Sequence, residues 1–104
     1  MAKFKQKEII VTRRVVRITV EAPLYNERVK QGAIINALTK IRDHVVEVIP
    51  SCSFKMFEDS KDLVHCMVID MVFDDWEQAA IDDHINEVIK FIERYTVVRI
   101  KEQG

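Results

Sequence analysis

Apolar positions along the chain follow two different periods. Between Glu8 and Ala22, Val16, Ile18 and Val20 alternate with Arg17, Thr19 and Glu21. Alternation with period two, in a segment rich in β-branched residues, predicts a strand. Pro23 ends it, and Asn26 or a neighbour can cap a helix after it. Ile34, Leu38, Ile41, Val45 and Val48 then fall at steps of four, three, four and three, the spacing of one helical face. Gly32 lies inside this helix at a cost of about 1 kcal/mol relative to alanine. It either permits close packing on a sheet or marks a weak first turn. Pro50 stops the helix.

Ser51 to Phe57 and Leu63 to Phe73 read as two further strands. The polar stretch EDSKD between them suits a hairpin loop. Asp74, with Glu77 three residues later, fits a capping box with Asp in place of Ser or Thr. Ile81, Ile85, Val88, Ile92 and Tyr95 again step by four, three, four and three, which predicts a second helix. Thr96 to Lys101 forms a short last strand. The element order is β-α-β-β-α-β. With right-handed crossovers, this predicts an α+β ferredoxin-like sandwich: a four-stranded antiparallel sheet in the order 4-1-3-2, with two helices on one face. One domain spans residues 1–104, with 1–8 as an arm that is flexible or contacts a partner.

Composition narrows the functional classes. The longest run without Asp, Glu, Lys or Arg is Gln31 to Thr39, far short of the roughly 20 apolar residues of a membrane span. The basic start MAKFKQKEII lacks the apolar stretch of a signal peptide, because charge recurs at Arg13, Arg14 and Arg17. Two cysteines, Cys52 and Cys66, are too few for a disulfide scaffold. A reducing cytoplasmic setting is expected. The net charge of -1 conceals an asymmetry: residues 1–42 carry +7 and residues 43–104 carry -8. A chain so divided can bind anions at one place and repel them at another, or pair its own charges.

Catalytic and cofactor signatures are absent. There is no glycine-rich phosphate loop, nucleophile elbow or HExxH motif. No CxxC is present, as a metal-chaperone version of this fold would need. The third strand, LVHCMVIDMVF, lacks the glycine and aromatic pattern of an RNA-recognition motif. Asp82, Asp83 and His84 form a single acidic cluster with no second half, better suited to a solvated helix face than to a metal. His44 is also expected on such a face. His65 and Cys66 are adjacent in a strand and therefore point to opposite sides. No enzyme activity, metal or cofactor is expected.

The third strand points to an interaction surface. A half-exposed sheet alternates apolar and polar residues, yet this strand is apolar on both sides. A loop over Phe57 to Lys61 sets Cys52 opposite Cys66, with Cys52, Phe54 and Met56 facing the helices. The open face then carries Leu63, Met67, Ile69, Met71 and Phe73 as a partner interface. A one-residue slip exchanges the sides and leaves Val64, Cys66, Val68 and Val72 there instead. Arg13, Arg17, Lys55, Arg99 and Lys101 surround the patch as a charged rim. Asp74, Asp75, Asp82 and Asp83 give a second, acidic surface. The expected function is a small non-enzymatic protein-interaction module that forms a homodimer or binds another protein through its open sheet face. The alternative is a nucleic-acid-binding protein using the basic rim and the N-terminal arm. A small-ligand sensor at a dimer interface is a third reading. No membrane association is expected.

Overall fold

A computed structural model of the chain describes residues 13–24 and 31–101. The N-terminal arm, with Lys3, Lys5 and Lys7, and the expected cap at Asn26 lie outside the described residues. The elements are β1 (Arg13–Pro23), α1 (Gln31–Val48), β2 (Cys52–Asp59), β3 (Val64–Asp74), α2 (Gln78–Ile92) and β4 (Arg99–Ile100). All strand pairs are antiparallel, and the sheet order is β2-β3-β1-β4. Read from the β4 edge, the same order is 4-1-3-2. The architecture is α+β, one four-stranded sheet with two helices.

The apolar periods place the core. Val20 and Ile18 of β1, Met67, Ile69, Met71 and Phe73 of β3, and Ile34, Leu38, Ile41 and Val45 of α1 form one buried cluster with Ile81, Val88 and Ile92 of α2. Burying each such side chain contributes roughly 1.5–3 kcal/mol. Val16, Phe54, Val98 and Ile100 pack against its margin. Pro50 follows α1 as expected, with the chain turned by a bond from the Ile49 amide to the Val45 carbonyl at 2.7 Å.

The side of β3 that joins this core is the opposite of the one expected. The hairpin loop is Ser60 to Leu63, so Asp59 pairs with Val64 and Cys52 with Met71. The Asp59 carboxylate holds the turn by accepting from the amides of Lys61 (3.0 Å) and Asp62 (3.2 Å). This displaces the register by an odd number of residues, and an odd displacement turns every β3 side chain over. Met67, Ile69, Met71 and Phe73 are each 0% exposed beneath the helices and cannot form a partner interface. Leu63 is not part of the strand: it ends the turn, exposed and with φ of 55°. Cys52 and Cys66 are not neighbours, since Cys66 pairs with Phe57 on the other face.

Smaller differences have local causes. Asp74 does not cap α2. It is the last residue of β3, and Glu77 is the N-cap, without a side-chain hydrogen bond. Asp75, at φ of 60°, makes the sharp turn between them. Asp is among the few residues that enter this left-handed region readily. The last strand reduces to Arg99–Ile100, because a turn closed by Val98 on the Tyr95 carbonyl takes up the residues before it.

Gly32 occupies the first turn of α1, exposed, and a Cβ added there meets nothing within 4 Å. It therefore marks a weak first turn and serves no close packing. The substitution Gly32→Ala should raise stability by up to about 1 kcal/mol. A higher urea midpoint with an unchanged m-value would show it.

Candidate functional site

The face of the sheet turned away from the helices is built in cross-strand rows. Arg13 lies opposite Asp74. Next, Val15 lies opposite Val72. Arg17 lies opposite Asp70, which on its other side meets Ser53. Lys55, Val68 and Thr19 share a row with Lys101, whose amide donates to the Thr19 carbonyl. Phe57, Cys66, Glu21 and Arg99 form the row after that. Residues directly opposite on one face interact most strongly, so each row behaves as a unit.

All three arginines of the expected rim stand on this face, and each meets a carboxylate. Arg13 donates from Nε to Asp74 Oδ1 at 2.8 Å and from a terminal nitrogen to Oδ2 at 3.1 Å. Arg17 grips Asp70 the same way, at 2.7 and 3.0 Å. These are two-pronged pairs that use the fixed fork of the guanidinium. Their hydrogen bonds hold the carboxyls of Asp70 and Asp74 below the usual carboxylate range and raise both arginines above theirs. Arg99 makes a looser contact from Nε to Glu21 Oε1 at 3.3 Å. The rim is therefore largely neutralised within the sheet. Lys55 and Lys101 are exposed at opposite ends of one row.

The face also carries apolar side chains that the helices do not cover. Val15 is 56% exposed and Phe57 44%, with Val68 and Val72 half-buried between them. Towards the β4 end the surface closes, and Thr19, Glu21, Val64 and Cys66 are buried. Here a cavity of about 470 Å³ opens between the end of β1, the β2–β3 turn and the approach to β4.

The chain has no match among protein-family models or curated proteins. Its likeness is to solved structures of designed proteins. De novo designed protein Foldit4 is similar at a TM-score of 0.55 and 11% identity, over 89% of this chain and 100% of its own. De novo designed protein Ferredog-Diesel is similar at 0.53 and 12% identity, over 98% of both chains. At such identities the likeness is one of fold alone.

The other candidate residues are dispersed. Asp74 belongs to the sheet face and Asp75 to a turn. Only Asp82 and Asp83 lie exposed on α2, with Asp82 bonded by Gln78 at 2.8 Å. The four do not form one acidic helix surface. Among the described residues, no three His, Cys, Asp or Glu side chains form a group that could hold a metal ion. Nor is any described helix long and apolar enough to cross a membrane. The histidines do not sit on solvated faces. His44 stacks on Phe91 with ring centroids 3.9 Å apart, and His84 meets Trp76 edge-on at 4.8 Å. His65 bonds to Gln31 Oε1 at 3.0 Å across the start of α1.

The residues that the expected register missed are Asp70 as a charge partner and the row of exposed Val15 and half-buried Val72. One signal for them lies in the sequence. Arg13 and Arg17 are four apart, as are Asp70 and Asp74, so one antiparallel register satisfies both pairs at once.

Thiol reactivity and acid stability both check this geometry. Burial pushes the thiols of Cys52 and Cys66 up, with the Glu21 carboxylate adding to the effect at Cys66. The less nucleophilic protonated form is then favoured. In the native protein, maleimide should leave Cys66 unlabelled while Cys52 reacts slowly, and both should label once urea unfolds the chain. For acid, the sign is set by Asp70. Because its folded-state pKa is lowered, its stabilisation is present above the unfolded carboxyl value and is lost as pH falls through the folded one. Arg17→Gln should therefore be less stable than the parent near pH 7. Urea midpoints for the two should converge in strong acid.

Proposed function

We propose that the chain is a ferredoxin-like, non-enzymatic interaction module that associates with a second copy of itself through the open face of its sheet. The observation that carries this reading is the Val15–Val72 row, with Val15 exposed and Val72 half-buried, set between two rows whose charges are already paired. Exposed apolar surface rimmed by polar residues is characteristic of protein interfaces.

Charge favours a second copy as the occupant. Arg13 with Asp74 and Arg17 with Asp70 leave the rows beside Val15 and Val72 without net charge. Two faces related by a two-fold axis through the Val15–Val72 row bring valine against valine, with only internally paired charges in the rows beside it. An eleven-residue strand spans about 36 Å and three strands about 14 Å, so the face covers at most about 500 Å², less its closed β4 end. That lies below the roughly 800 Å² per partner of a standard interface, so the dimer is expected to be dynamic. Nucleic acid finds less to hold here, since phosphate would have to compete with Asp70 and Asp74 for the arginine forks.

Light scattering at low and high salt tests the reading. The expected mass approaches twice 12.2 kDa as concentration rises, with little dependence on salt. The double substitution Val15→Glu with Val72→Glu should return it to a monomer that keeps its circular dichroism. A parent chain that stays monomeric at its solubility limit would sink the proposal. So would binding to DNA or RNA that falls steeply with salt while the mass remains that of one chain.

A further inference from the structure

The cavity at the β4 end of the sheet is a different kind of place from the valine row. Of the three carboxylates that meet an arginine on this face, Glu21 is the odd one. Its side chain is only 5% exposed, against 26% for Asp70 and 43% for Asp74. Among these three described residues it also receives the longest contact. Asp70 and Asp74 each receive two bonds of 3.1 Å or less, whereas the contact drawn to Glu21 from Arg99 is single and 3.3 Å long. A carboxylate can accept at about four positions, so a further donor can join or replace the single Arg99 contact. The Arg99 side chain is 73% exposed, so it rests on Glu21 from the solvent side and can leave it.

Most of the residues that line the cavity with Glu21 are apolar. Pro23, Leu63, Val64, Val97 and Val98 line the cavity, together with Asp62. Leu63 is held in place by its left-handed turn and by the Leu24 amide, which donates to the Leu63 carbonyl at 2.9 Å. Glu21 and Asp62 face Arg99 in the lining, and Lys101 joins the same three in the adjoining groove. A space of about 470 Å³ is within the range of small-molecule sites. A buried carboxylate among apolar lining residues complements a cation on a hydrocarbon stem.

We infer that this cavity binds an aliphatic primary ammonium, whose stem lies along Leu63 and Val98 and whose charged head takes the place of Arg99 on Glu21. Such a group is carried both by small alkylamines and by a lysine side chain in a peptide. The site needs no second copy of the chain, so it stands or fails separately from the sheet-face dimer.

Nuclear magnetic resonance on the full chain tests it. Pentylammonium should give saturable amide shifts at Glu21, Leu63 and Val98, together with movement of the Arg99 Nε signal. Pentanol and pentanoate, with the same stem but no cation, should not reproduce them. The substitution Glu21→Gln keeps the shape and should weaken ammonium binding by at least about tenfold. Since the comparison of the three probes uses the parent chain alone, it stands even if that variant folds poorly. N-acetyl-lysine methylamide separates the two sources: binding as tight as pentylammonium assigns a peptide lysine, and markedly weaker binding assigns a free amine. Equal shifts from pentanol, preferential binding of pentanoate, or no shift from either ammonium would overturn the assignment.

Discussion

The parity of the third strand governs everything else in this molecule. β3 is apolar on both sides, so hydrophobicity alone does not decide which side meets the helices. Two polar constraints do. The Asp59 carboxylate closes a four-residue turn and fixes β3 against β2. Arg13 and Arg17 fix it against β1 through Asp74 and Asp70. A slip by one residue would carry Asp70 into the space now filled by Ile69 or Met71, and an unpaired buried carboxylate is far too costly there. Polar groups at the surface thus select the contents of the core, an instance of register set from the solvent side.

The same constraint separates what is legible in the sequence from what is not. The helices are legible because Ile34 to Val48 and Ile81 to Ile92 repeat at helical spacing over several turns, a signal that survives small errors of boundary. The inward set of β1 is legible for the same reason, through Val16, Ile18 and Val20. The hairpin is not. Its loop is bounded by Asp59, whose side chain makes the turn, and by Leu63, a residue that gives no sign of adopting a left-handed backbone. Mistaking the loop by a few residues exchanges Met67, Ile69, Met71 and Phe73 for Val68 and Val72. The start of α2 is obscured by a similar confusion, because Asp74 resembles a helix cap in sequence but is held in the strand by Arg13.

The charge asymmetry of the chain also takes on a structural meaning. A basic N-terminal portion and an acidic remainder suggest separate surfaces of opposite sign. In the fold, β1 runs beside β3, and the two signs meet across the ladder. The forks of Arg13 and Arg17 are already occupied on this face, while Lys55 and Lys101 remain exposed at the two ends of one row. One end of that face then differs from the other in burial: open valines at the β1 start, and a covered carboxylate at Glu21.

The packing of the methionines has a chemical consequence. Oxidation of methionine to its sulfoxide turns a flexible apolar side chain into a polar one and disrupts any core that contains it. Met67 and Met71 are 0% exposed beneath two helices, whereas Met56, on the outer strand, is 52% exposed. Among the described methionines an oxidant in solution therefore meets Met56 first, at a position where added polarity is solvated at little cost. The sulfurs on which the fold depends are reached only when the protein opens.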